Sequence, residues 1–196
     1  MKNRMMNTYV FILALSCILF LAHGCRSAGP SFHMRQDVDF STIKRVAVVS
    51  FENMSNDKSA DEIVKYMVIN ELLISGLVDV VVPGEVKAAL NKLDIKSDSS
   101  LSAEQIKALG RELKVQAVFF GSVFKYGETR DGNISSPEVS INFMMAETFG
   151  GNIVWSVTRT RGGAGFMARH FGAKTETLTE TAMSVVRDAV QTLATY

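Results

Sequence analysis

The sequence predicts a single α/β domain whose mixed β-sheet starts with a parallel βαβ unit, ends in an antiparallel hairpin and is packed with helices. Three observations predict it. A nearly continuous apolar run within Arg45–Asn53 is followed by a helical segment and then by a second apolar run, Val78–Val82. Two runs that alternate apolar and polar residues, Val139–Met145 and Ile153–Val157, flank a Gly-Gly-Asn turn. A last segment repeats Leu178, Ala182, Val185, Val186, Ala189, Val190 and Leu193 at helical spacing.

Residues 1–24 read as a secretory leader. Lys2 and Arg4 make a basic start, and Tyr9–Ala22 is almost wholly apolar. That core falls short of the roughly 20 residues a membrane span needs, and its flanks describe a signal peptide. The residues Ala22-His23-Gly24-Cys25 resemble a lipobox, with cleavage between Gly24 and Cys25. His23 stands where a small residue is usual, and Ala22 where Leu is commonest. Cys17 leaves with the leader, so the mature chain keeps Cys25 alone. A single free thiol is a liability in an oxidising compartment, and acylation removes it. Cys25 is therefore expected to carry a diacylglycerol and an N-acyl lipid such as palmitate, since several acyl chains anchor firmly where one does not. Arg26 rather than Asp follows it, which favours the outer membrane with the domain facing the periplasm.

Residues 25–41 read as a lipidated flexible tether, with Gly29-Pro30 breaking regular structure. Residues 42–196 read as the domain. Arg45–Asn53 is a strand covered on both faces, because its apolar run hardly alternates. Ser59-Ala-Asp-Glu62 has the pattern of a capping box, opening a helix to about Ser75 that Gly76 closes. Val78–Val82 is the second strand, ended by Pro83-Gly84. Such a unit predicts parallel pairing and a right-handed crossover. Glu85–Leu93 is a short helix, Asp94–Ser100 a loop, and Ser102-Ala-Glu-Gln105 a second capping box for a helix to about Leu113. Val115–Tyr126 is a strand in which Gly121 marks a bulge or close packing. Thr129–Pro137 is polar and reads as a loop. The two alternating runs form a hairpin, Trp155 belongs to the core, and a final helix over about Thr175–Leu193 covers the sheet.

Four segments together, VAVVSFENMSNDKSADEI, GLVDVVVPGEV, LKVQAVFFGSVFKYGE and MMAETFGGNIVWSVTRTRG, resemble the family that includes the curli secretion lipoprotein CsgG, the penicillin-binding-protein activator LpoB and the N-terminal domain of TolB. The resemblance covers roughly residues 44–194. It implies an envelope location and a role in assembly, secretion or regulation rather than catalysis. CsgG builds a pore from long amphipathic hairpins. Here Val139–Val157 turns within a few residues and the Thr129–Pro137 stretch is polar, whereas a membrane strand needs about 9–11 alternating residues.

Little else points to chemistry. The chain of 196 residues carries 21 basic and 20 acidic side chains, net +1; losing Lys2 and Arg4 with the leader makes it −1. That balance gives no support to a nucleic-acid partner. Gly165–Thr175 falls short of a phosphate loop because Ala173 separates Gly172 from Lys174-Thr175. His33 and His170 have no Cys or second His at metal-ligand spacing, so no metal or cofactor is expected. No G-x-S-x-G elbow appears, and no catalytic residue is assigned. Arg159, Arg161, Arg169 and His170 form a basic stretch interleaved with Phe166, Met167 and Phe171, residue types enriched at interfaces. That stretch is the expected partner surface. The function expected is a non-enzymatic adaptor or assembly factor for an envelope machine, held to the membrane by its lipid and able to form a homo-oligomer. The alternative is an oligomeric secretion channel component like CsgG.

Overall fold

The computed structural model describes residues 32–96, 100–131, 134–162 and 176–194. The strands are β1 (Phe32–Met34), β2 (Arg45–Val48), β3 (Glu52–Asn53), β4 (Asp79–Val80), β5 (Ala117–Asp131), β6 (Ile134–Glu147) and β7 (Ile153–Gly162). The helices are α1 (Ala60–Ser75), α2 (Pro83–Lys92), α3 (Ala103–Leu113) and α4 (Leu178–Gln191), with a 3-10 turn at Phe40–Thr42. One sheet runs in the order β1-β7-β6-β5-β2-β4, with β3 paired to β5. β2 is parallel to β4 and β5, while β5, β6, β7 and β1 are antiparallel in turn. The sheet is mixed, as the sequence predicts.

The nearly continuous apolar run of β2 serves both faces. Val46 and Val48 belong to a core shared with α1 and α4, through Val64, Val68, Leu72, Val185 and Val186. Ala47 and Val49 point the other way, to Val86 and Leu90 of α2 and Ile106 and Leu109 of α3. The result is three layers: α1 and α4 beside each other, the sheet, then α2 and α3. Trp155 is 1% exposed, sits edge-on to Phe119, and donates from Nε1 to Thr192 Oγ1 at 3.0 Å. It is core under α4, as expected.

The caps divide. Ser102 and Gln105 form the full capping box of α3. Ser59 does not, because its backbone (φ −108°, ψ 2°) is not extended and does not aim the hydroxyl at a free amide. Asp57 Oδ1 accepts from the Ser59 amide instead, and Glu62 pairs with Lys65. Gly76 closes α1 with φ +64°, as predicted. A third box, Thr177 with Glu180, opens α4 and places its start at Leu178 rather than Thr175.

Three boundaries shift. The tether read to residue 41 is too long: Phe32–Met34 is a strand, paired antiparallel with Trp155–Val157 and packed on the core through Phe32 and Met34. Arg45–Asn53 is two short strands rather than one. The polar stretch Thr129–Pro137 is not simply a loop. β5 and β6 stay paired through Glu128 with Pro137 and Arg130 with Ser135, beyond the last β6–β7 pair at Glu138 and Gly162. Past that point β6 has no second neighbour among the described residues, and the missing N–H of Pro137 is tolerated there. Gly121 marks close packing: a Cβ there would lie 2.0 Å from the Asn142 carbonyl oxygen. The ladder's irregularity falls slightly later, between Val123 and Lys125.

Candidate interaction surface

Alternation along β7 sends Trp155, Val157, Arg159 and Arg161 to the α1/α4 face. The core supplies Trp155 and Val157 there, and the two arginines continue the row. Arg159 is only 8% exposed and its Nη1 has no hydrogen-bond partner. Burial pushes the pKa of its guanidinium down, against the opposing pull of Asp188. Arg161 is exposed and tied to the last helix: Nη1 donates to Ser184 Oγ at 2.7 Å, Nη2 meets Glu176 at 3.1 Å, and Asp188 lies at 3.8 Å. The solvent-facing basic stretch expected from the sequence is therefore corrected at Arg159, which is a core residue with a charged end. The inward register of β7 takes it below the surface. Arg161 straps β7 to α4 while keeping an exposed flank.

The remaining residues of that expected surface, Phe166, Met167, Arg169, His170 and Phe171, lie outside the described residues, as do Gly24 and Cys25 and the Gly165–Thr175 stretch. Among the described residues, no group of three or more His, Cys, Asp or Glu side chains could hold a metal ion. No described helix is long and apolar enough to cross a membrane. A cleft of about 330 Å³ opens past the end of β2, lined among others by Ser50, Glu62, Lys65, Tyr66 and Lys87. Open α/β sheets often bind ligands at the carboxyl ends of their strands. Here Lys65 is engaged by Glu62 and stands 5.0 Å from the centroid of the Tyr66 ring, so its charge is balanced within α1.

Two apolar features were not read from the sequence. Phe149, in the β6–β7 turn, is 98% exposed. A pocket of about 200 Å³ is lined mainly by apolar side chains from the 3-10 turn, α1 and the sheet, including Phe40, Ile43, Leu72, Leu77 and Met145. An aromatic residue between a hairpin strand and a Gly-Gly pair was the available signal for the first. The pocket had none, since its walls come from distant segments.

The three-layer arrangement defines the class: a mixed-sheet α/β domain with helices on both faces. The solved structures that resemble it include the PelC dodecamer from Paraburkholderia phytofirmans, at 19% identity and a TM-score of 0.57, covering 82% of this chain and 94% of that one. The lipoprotein GNA1162 from Neisseria meningitidis matches at 18% identity and a TM-score of 0.57, over 78% of this chain and 99% of that one. The LpoB C-terminal domain from Salmonella enterica matches at 18% and 0.47, over 60% and 82%. No family model and no curated protein matches the chain.

Proposed function

We propose that this chain is a lipid-anchored envelope protein whose α/β domain works by binding other proteins, as an adaptor or assembly factor, and not by catalysis. The observation that carries this reading is the spacing between anchor and fold. Cys25 closes a lipobox, and β1 begins seven residues later, at Phe32. Seven residues span at most about 25 Å when extended, so acylation of Cys25 holds the domain against its membrane. The fold shared with a structure described as a lipoprotein supports the same reading. Arg26 after Cys25 favours the outer membrane, facing the periplasm.

The test is Cys25→Ala in the native host, followed by fractionation. The expected result is loss of membrane association with a shift in processing. A variant that stays membrane-bound and fully processed would overturn the proposal.

A second reading, a component of an oligomeric channel, is favoured by one observation: PelC, of similar fold, is described as a dodecamer. The long β5–β6 hairpin does not itself supply a membrane strand pair. Its outer end carries Glu128, Thr129, Arg130 and Ser135, without the alternating apolar face such strands need. A channel would have to be formed by the ring as a whole or by a partner.

A further inference from the structure

The β6–β7 turn is built to hold one side chain still. Glu147 Oε2 accepts from the amides of Phe149 and Gly150, both at 2.7 Å, and Oε1 accepts from the amide (3.1 Å) and Nδ2 (2.8 Å) of Asn152. The Gly151 amide returns to the Glu147 carbonyl at 3.1 Å, and Thr148 Oγ1 donates to the Val115 carbonyl at 2.7 Å. Gly151 has φ +77° and lies so close to Ala103 that a Cβ would fall 2.7 Å from its carbonyl oxygen. All this fixes a turn whose large apolar side chain, Phe149, is 98% exposed. An aromatic ring presented rigidly to water loses little conformational freedom on docking and can cover a large area.

The same chain carries a matching socket. The pocket of about 200 Å³ opens between the 3-10 turn and the end of α1, with half-exposed Leu73 and strongly exposed Ile74 on α1 near its rim residue Leu77. An apolar cavity of about 150 Å³ accepts a benzene ring, so a phenyl side chain fits. Charge agrees as well. Lys44 lies in the socket wall, while Glu104, next to Ala103, is 81% exposed beside the turn and meets Lys107 of its own helix only at 3.8 Å. The turn packs on α3, through Gly110 against Thr148 and Ala103 against Gly151. The socket belongs to the opposite face, with residues of the α1/α4 core. Knob and socket thus lie on different faces of one domain.

We propose that Phe149 of one copy seats in the apolar pocket of a second copy, making a head-to-tail contact in which each chain gives one knob and one socket. The occupant is a second copy because ring size, apolar character and flanking charge match within the chain. Contacts of this heterologous kind close into rings or run on as filaments. The contact does not depend on the lipid anchor.

The test uses the full-length protein extracted in mild detergent, sized by mass photometry across a dilution series. The native chain is expected to run as an assembly. Phe149→Ser, at a site with no packing to lose, is expected to raise the dissociation midpoint about 30-fold or more, as removal of a buried aromatic anchor does, while its circular dichroism stays native. Phe149→Tyr keeps the assembly. Phe149→Cys combined with Leu77→Cys is expected to give a covalent ladder that neither single variant gives. A native chain that is monomeric at every concentration, an assembly unchanged by Phe149→Ser, or a double-cysteine variant without a ladder would each overturn the proposal.

Discussion

Gly121→Ala tests the packing argument most directly. Gly121 pairs with Phe143 across the β5–β6 ladder. An added Cβ would sit 2.0 Å from the Asn142 carbonyl oxygen and 2.8 Å from Phe51 Cε1. A tolerable contact starts near 3.0 Å, so the strands must part by about 1 Å or Phe51 must leave its place. Phe51 is 1% exposed and packs edge-on to Phe143 with centroids 5.9 Å apart, so it has nowhere to go. Overpacking of this kind costs about 1–3 kcal/mol, and each weakened ladder bond adds about 0.5–1.5 kcal/mol. The lower entropy of the unfolded alanine chain offsets about 0.4–1 kcal/mol. A net loss of about 3 kcal/mol corresponds to a Tm roughly 6–12 °C lower for a domain of this size. Thermal unfolding followed by circular dichroism measures it. A Tm within about 2 °C of the native value would refute the claim that β5 and β6 are in contact at this rung.

Two other predictions follow from charged groups. Arg159→Met should leave stability unchanged or raise it by about 1 kcal/mol in urea unfolding, because it removes a buried donor without a partner while keeping the length of the stem; a loss above about 1 kcal/mol would mean that the guanidinium is held. Glu147 is buried enough to raise its pKa, but the amides of Gly150 and Asn152 and their neighbours outweigh that and set it below the ordinary carboxylate value. A carboxylate depressed in the folded state contributes stability that is complete above its unfolded pKa and is lost as pH falls through the folded one. Amide-exchange protection at Phe149 and Gly150 should therefore hold at neutral pH and fall only in acid, and Glu147→Gln should remove that pH dependence; protection that is flat with pH in the native chain counts against the account.

The elements legible in the sequence are those whose physics is local and repetitive. Gly76 closes α1, Ser102 caps α3, β2 carries an apolar residue for each face, and the inward stripe of α4 repeats over four turns. What was missed depends on partners distant in the chain. Three residues, Phe32–Met34, are too few to show a period, and only β7 makes them a strand. The outer β5–β6 hairpin buries no continuous face, so Thr129 and Arg130 look like loop residues while their backbones pair. Ser59 and Ser102 share one sequence pattern, and backbone conformation alone separates them. Arg159 was legible in part, since it stands two residues beyond Val157 on an inward-facing row. Its charge argued for the surface, and register decided otherwise.

The direction of β1 joins the two proposals. β1 pairs Phe32 with Val157 and Met34 with Trp155, so its first residue, Phe32, is the one nearer the Arg159 end of β7. The β6–β7 turn with Phe149 lies past the other end of β7, and the socket residues Phe119 and Met145 share a row with Trp155, toward that same end. An anchor on Cys25, at most about 25 Å of chain from Phe32, would therefore hold the Arg159 end toward the membrane and leave knob and socket at the far end. A head-to-tail assembly around an axis normal to the membrane then keeps every anchor on one side, whereas a filament along that normal lifts all but one anchor from the bilayer. With both proposals in place, lipidation would select the closed ring over the open filament from a contact that permits both. Removing the anchor by Cys25→Ala while leaving Phe149 intact should thus broaden the distribution of assembly sizes rather than abolish assembly.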